Sequence, residues 1–533
     1  MTTAAAPQAL RAGAPTPGWL LVTGILLACL SEALASTILA LGRADIIGDT
    51  AATPDEFAGL DVGYTAFKLI GFAFAPWLLT RVDPRSVLVG ATLIMGAASA
   101  LAAVVTGLDP LVLLRAVQGL SGATLLIAGQ AILFWTWPAA RQPFLQALFA
   151  IGSVVAPATA APLLEGWLID QRDWSWIFAA VVPLSLGAAG LLVLAGDTSN
   201  RPAPPRCLDL VALLALSMVL LAATYVLTQG SRWDWLEAPR IAWLSAIAIA
   251  GLIFLAAREL RAGASALFDL SVFRTEDFAF AFFVSFVAGA ALFGSAFVIP
   301  AFALSVLGFT PTGAGALLLP SGACFLATLL LSAWLMEVRG LSPFATVPLG
   351  ILSIMTAMWM LSGSTGQSGV ADMMPAILLR GLGLGFLFLS ITLIAFSKLP
   401  AQSVAYGLGI FNIGRQLGGL IGVAALQTSI DHGLVHNQTM LGAAIMSGSP
   451  ALAERMSVTT NLLVARGVEA GAAARSATAM VGRAVGGQSA VIAFDSAFNL
   501  VALLFIVGAP CIVAIKLLLA KTMRKSAQAE TAP

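Results

Sequence analysis

The sequence predicts an all-α integral membrane protein, built as two pseudo-symmetric six-helix bundles with two helices inserted between them, fourteen transmembrane helices in all. Three observations carry this. There are fourteen apolar stretches of bilayer-spanning length, the basic residues fall mostly on one side of them, and the chain weakly repeats itself about 260 residues apart.

A helix needs roughly 20 apolar residues to cross the hydrocarbon core. The stretches that meet this are 19–41, 60–79, 86–107, 110–134, 143–168, 175–196, 209–228, 239–257, 279–304, 312–336, 343–362, 373–396, 404–428 and 491–518. Helices are expected because lipid offers no partner to an open backbone group. The first stretch, with Arg11 before it and the Ala33-Leu34-Ala35 triplet inside it, imitates a signal peptide. Its apolar run continues to Leu41, however, which favours a retained span.

With the N-terminus inside, the inner segments and span ends carry fifteen basic residues, and the short outer loops carry four: Arg43, Arg172, Arg232 and Arg240. The positive-inside rule then puts both termini in the cytoplasm of a cell (plasma or inner) membrane and segment 429–490 outside. Residues 451–488 have apolar positions at helical spacing, so an outer helical segment is expected there, with a surface for an accessory periplasmic adaptor protein.

The repeat is visible in two places. PWLLTRVDPRS at 76–86 leaves the second span as SAWLMEVRGLSP at 332–343 leaves the tenth, and RAVQGLSG at 115–122 matches RGLGLGFL at 380–387. Duplicated six-helix units are common in secondary transporters, with the substrate site between the repeats. The expected organisation is a disordered tail at 1–17, a bundle at 18–196, a two-helix insert at 197–258, a second bundle at 259–518 and a tail at 519–533.

Composition excludes other classes. The chain is 59% hydrophobic and 10% charged, with a net charge of +1, so it has no footprint for nucleic acid and is not a soluble enzyme. Its four cysteines, Cys29, Cys207, Cys324 and Cys511, form no disulfide framework or metal motif. No metal or cofactor is expected. His432 and His436 have i,i+4 spacing but only two ligands, and GLGLG at 381–385 follows no strand, so helix packing explains it better than phosphate binding.

At this point the residues carry a resemblance. LVLLRAVQGLSGA at 111–123, GSVVAPATAAP at 152–162, RDWSWIF at 172–178, ALFDLSVFRTEDF at 266–278, LGFTPTGAGALLLPSG at 307–322, FNIGRQLGGLIGVA at 411–424 and GGQSAVIAFDSAF at 486–498 are similar to the motifs of the major facilitator superfamily. Within it the chain resembles the fourteen-spanner drug:proton antiporters of the EmrB/QacA type. The resemblance implies multidrug efflux by antiport, with Arg115, Gln118 and Gly119 at the defining positions of the fourth-helix motif. It also departs from the family. Ala35 stands where the family has an Asp, Asp83-Pro84 replace Gly-Arg, and Ala156, Ala160 and Ala161 replace glycines around Pro157.

Charges at membrane depth are costly, so they mark candidate sites. Glu32 lies roughly 13 Å from the outer end of the first span and Lys68 roughly 12 Å from that of the second, so an ion pair is expected. Glu32 is also one helical turn before Ala35. The pair reads as a static clamp, as a proton-coupling site, or as charges facing an outer vestibule. Arg115 and Gln118 are candidates for substrate contact or gating, with hydrogen bonding to the first span as the structural alternative for Arg115. Arg380 and Arg415, among glycines, are candidates with lower priority. Arg81, Asp83, Arg85 and Pro157 are expected to brace moving parts. Glu165 and Asp495 are expected at the interface, in water. The eight phenylalanines of 278–302 are expected mainly in packing.

Two functions follow as expectations. One is a proton-coupled exporter of small amphipathic compounds or drugs. The other is a specific metabolite or organic-anion exporter or uniporter without proton antiport, or a sensor or scaffold that does not transport. No ATP-binding motif is present, which argues against an ATP-driven pump.

Overall fold

The computed structural model describes residues 18–38, 42–195, 208–262, 267–445 and 449–530, the last of these by backbone alone beyond residue 508. The expected N-terminal tail, Arg11, Arg201, Arg206 and Cys207 lie outside the described residues, as do the side chains of Cys511, Lys516, Lys521, Arg524 and Lys525.

Fourteen helices are long and apolar enough to cross a membrane, and each overlaps one of the expected stretches. They are α1 Trp19–Thr37, α2 Pro54–Arg81, α3 Pro84–Ala102, α4 Leu108–Thr136, α5 Ala139–Gln171, α6 Ser175–Leu194, α7 Leu210–Gln229, α8 Pro239–Ala262, α9 Glu276–Ser305, α10 Pro311–Arg339, α11 Pro343–Leu361, α12 Val370–Phe396, α13 Val404–Ala444 and α14 Ala470–Glu530. The protein is therefore an all-α, multi-pass membrane protein.

Local chemistry sets the helix starts. Thr53 and Glu56 form a capping box at α2, with Pro54 at the first helical position, so α2 begins six residues before its apolar stretch. Its 28 residues measure about 42 Å, longer than the roughly 30 Å of hydrocarbon. Asp83 caps α3 by accepting from the Ser86 backbone N–H at 3.0 Å. Asp209 caps α7, and Arg258 of α8 forks onto both of its oxygens at 2.8 Å each, joining the two inserted helices. That clamp lies on the boundary drawn at 258. The helix carries on past it to Ala262.

The pseudo-symmetry of the sequence is present in the packing. In the first half α4 packs against α2 and α3, and α1 against α5 and α6. In the second half α12 packs against α10 and α11, and α9 against α13 and α14. The halves meet through α2 with α13 and α5 with α10, one pair on each side of the pseudo-axis. The insert packs through α7 onto α2, leaving α8 largely lipid-facing, with Trp243 at 73% exposure.

The halves touch at both ends. On the face holding the α1–α2 connection, Thr312 donates to Asp170, and Gly315 backs onto the Pro162 carbonyl. On the opposite face, Phe134 meets Phe396 with centroids 5.1 Å apart, and Trp135 Nε1 donates to the Ala401 carbonyl at 3.0 Å. A cavity of about 560 Å³ lies beside that contact, lined by Phe134, Trp137, Gln142, Met336 and Phe396.

The α7–α8 hairpin straps the halves on the α1–α2 face. Arg232 pairs with Asp55 of α2 at 3.0 Å, while Ser231 donates to Asp431 at 2.7 Å and Trp235 to Thr428 at 3.1 Å, both on α13. Asp234 and Trp235 adopt φ of 47° and 53°, a left-handed backbone that costs these residues of order 1 kcal/mol or more each. The segment after α13 is helical at Pro450–Ala465, and α14 starts at Ala470 and runs unbroken through the fourteenth span. The stretch at 429–490 is thus mostly an extension of the helices on either side of it.

Candidate functional site

The site forms where α1, α2 and α4 converge. Glycine makes the convergence possible: a Cβ on Gly119 would lie 2.1 Å from the Tyr64 carbonyl oxygen, so only glycine lets α4 fall against α2 there. This contact brings the Arg115 guanidinium over the Tyr64 ring, 4.2 Å from its centroid. Tyr64 and Lys68 are four residues apart on one face of α2. Both reach Glu32 Oε1 on α1, the phenol donating at 2.8 Å and the ammonium at 2.5 Å. Glu32 is 1% exposed. Glu32 and Lys68 are thus in direct contact, inside the protein and away from any vestibule.

Arg115 is also buried. Its Nη1 donates to the Ala35 carbonyl of α1 at 2.6 Å and to Gln118 Oε1 at 2.9 Å, and Gln118 donates in turn to Ser99 of α3 at 3.0 Å. Its Nε has no partner among the described residues. The four side chains Glu32, Lys68, Arg115 and Gln118 therefore form one network, with Tyr64 as the hinge between an acid and a guanidinium.

Arg380 occupies the equivalent place in the second half. It donates to Ser295 of α9 at 2.7 Å and to Ser321 of α10 at 3.0 Å, and a Cβ on the neighbouring Gly381 would lie 2.1 Å from the Ser321 carbonyl oxygen. Arg115 and Arg380 each reach the first helix of their own half, which is the pseudo-symmetry at residue level. Among the described residues, neither hydrogen-bond partner of Arg380 is a carboxylate. Arg415, on α13, donates to Asn412 and sits 5.7 Å from the Phe388 ring and 5.9 Å from Phe411. It lies near the interface between halves, within electrostatic reach of Glu32.

The expected brace divides into separate parts. Arg85 reaches the C-terminal end of α6, donating from Nε to the Leu192 carbonyl at 2.6 Å and from Nη2 to Val193. A cation there meets unpaired carbonyls and the negative end of the helix dipole. Asp83, also expected in the brace, accepts from Ser86 at Oδ2, because a short acid just before a helix is a natural N-cap. Pro157 sits in a ten-residue π-helical segment, Ile151–Ala160, in the middle of α5. Proline brings no N–H to the ladder, and the widened turn accommodates it. If Arg85 only braces, Arg85→Ala should slow turnover severalfold while ligand affinity in detergent stays near wild type. A loss of binding instead would place it at the substrate.

Glu165 corrects one expectation. It is fully buried, facing α1, where Thr37 donates to its Oε1. The apolar stretch ended at 168, which put Glu165 near water, but α5 runs to Gln171 and turns it inward. Asp495 is half-buried. Tyr64 and a glutamine ladder, none of them charged, also join the buried polar groups. Gln130 donates to Gln146 at 2.9 Å, Gln146 to Gln142 at 3.1 Å, and Gln142 to the Leu133 and Trp137 carbonyls at 3.0 Å each. The i,i+4 spacing of Gln142 and Gln146 in an apolar stretch was a readable signal. Phe278 and Phe302 are buried in the core, and Phe283 is among the exposed residues. In GLGLG the glycines admit the backbones of α10 and α11. His432 pairs with Asp234 at 3.8 Å.

Comparison with known proteins agrees with this architecture. The family model described as Major Facilitator Superfamily matches residues 21–423. The chain is similar to the colistin resistance protein EmrB of Acinetobacter baumannii, 26% identical and covering 81% of this chain and 82% of that one. It is similar to the multidrug export protein EmrB of Escherichia coli at 24%, covering 75% and 78%, and to a multidrug resistance protein B homolog of Mycobacterium tuberculosis at 27%, covering 78% and 76%. With a duplicated six-helix fold, a motif-bearing fourth helix and a family match over most of its length, this chain belongs to the major facilitator superfamily.

Proposed function

We propose that the protein is a secondary active exporter of small amphipathic compounds or drugs, coupled to the inward movement of protons and working by alternating access of its two halves. The observation that carries the reading is Glu32: a carboxylate inside the first half, held by an ammonium and a phenol on a neighbouring helix. Binding a proton there cancels the attraction to Lys68, so protonation and the relative position of α1 and α2 are linked. Arg115 senses the same change through Tyr64 and passes it to the Ala35 carbonyl. Substrate competes either for the ionised acid or for the space it controls. The relatives' names, multidrug export and colistin resistance, support export of drugs.

Orientation follows from the basic residues, with both termini cytoplasmic in the inner (plasma) membrane. The extension 429–490 would then face outward. It exposes Val435, Met440 and Leu462, a surface suited to an accessory periplasmic adaptor protein.

A second reading rests on Arg380 and Arg415. Arg380 donates to Ser295 and Ser321 and Arg415 to Asn412, all of them neutral, and cations so held suit an anionic substrate, hence an organic-anion or metabolite exporter or uniporter without proton antiport. A sensor or scaffold role would need no titrating acid at all.

Proteoliposomes with an imposed pH gradient and ethidium as probe separate these readings. The proposal requires the dye to accumulate on the acidic side against its own gradient, and to stop when the pH gradient is collapsed. Downhill movement alone would support a uniporter, and no movement of ethidium or of an organic anion would support a sensor or scaffold.

A further inference from the structure

We propose that Glu165 is a second proton-carrying carboxyl of the transport cycle, loaded from the α1–α2 face and read by Arg115. This deepens the exporter reading and rests on it. Glu165 is wholly buried, and among the described residues one oxygen takes only the Thr37 hydroxyl and Oε2 has no partner. An isolated carboxylate in that setting is costly. A carboxyl held by a neutral hydroxyl, within electrostatic reach of a guanidinium, is a place to store a proton.

The cation is Arg115. It lies within electrostatic reach of Glu165, Asp61 and Glu32, and its buried Nε is likewise unpartnered. Among the described residues, the groups acting on Glu165 are Thr37 on α1 and Arg115 on α4, and Arg115 in turn faces Glu32 on α1 and Asp61 and Tyr64 on α2. The π-helical segment, the Pro311–Ala316 turn and α6, which also pack near it, contain no charged residue.

The step balances simply. Hydronium from the α1–α2 side gives its proton to the Glu165 carboxylate, leaving carboxylic acid and water, and the acid later returns that proton to water. With Glu165 neutral, Arg115 stays on the Ala35 carbonyl and over Tyr64, as observed. With Glu165 ionised, the guanidinium is drawn toward α5, which releases Tyr64 and loosens its hold on Glu32. Thr37 and Ala35 lie on the same turn of α1, so both acids act on one helix.

Two measurements on the full chain test this. Infrared difference spectra between neutral and acidic pH should contain a protonated-carboxyl C=O band that is lost in Glu165→Gln, shifted in Thr37→Val and retained in Glu32→Gln. In the proteoliposome assay, Glu165→Gln should keep ethidium exchange but lose concentrative uptake. If the band survives in Glu165→Gln, or if that variant concentrates ethidium like wild type, the proposal is wrong while the exporter reading stands. If wild type itself shows no pH-driven ethidium movement, the exporter reading fails, and with it the coupling role given to Glu165. Should Glu165→Gln fail to fold, Thr37→Val decides: an unmoved band and unchanged uptake overturn the assignment.

Discussion

Replacing Glu32 with Gln should leave substrate binding and substrate–substrate exchange intact and abolish uphill transport. The amide keeps the shape and can still accept from Tyr64 and Lys68, but it cannot take up and release a proton in the working range. Its cost is an uncompensated ammonium at Lys68, and breaking a buried pair from one side costs about 3–5 kcal/mol. The double variant Glu32→Gln with Lys68→Met removes that charge and serves as the stability control. Counterflow of labelled ethidium in proteoliposomes measures exchange, and a pH-gradient assay measures concentration. A Glu32→Gln protein that still concentrates the dye would remove Glu32 from the coupling path.

The second large effect is structural. Gly119→Ala puts a methyl against a backbone carbonyl, which cannot rotate away, so α4 must separate from α2. Overpacking of this kind costs about 1–3 kcal/mol and occasionally more. The separation also lifts Arg115 from the Ala35 carbonyl, so ligand binding should fall together with stability. Gly381→Ala should behave alike, because Gly381 makes the same approach to Ser321 in the second half. Gly190 on α6 has nothing within 4 Å of a built Cβ, so Gly190→Ala should be neutral or slightly stabilising. Thermal unfolding in detergent compares the three. Equal midpoints for Gly119→Ala and Gly190→Ala would contradict the close-packed seam.

Much of this fold was legible because bilayer physics leaves few choices. An apolar run of the right length must be a helix, and the charge asymmetry and the repeat then restrict the count and the pairing of halves. The Glu32–Lys68 contact was legible for the same reason, since two charges at equal depth on sequential spans have few other partners. What escaped depends on where helices begin and how they rotate. Glu165 was assigned to water because an apolar window ends before a helix does. Tyr64 carries no formal charge, and so was never counted, although it joins the acid to the guanidinium. The strap between α7 and α8 could not be read from sequence at all, since its partners Asp55, Thr428 and Asp431 lie far apart along the chain.

Coupling through Glu32 is best tested by adding ethidium to the purified protein in weakly buffered solution and following the pH. Wild type should release protons in proportion to the dye bound, and Glu32→Gln should bind the dye and release fewer. Binding without proton release by wild type, or equal release by the variant, would contradict the account.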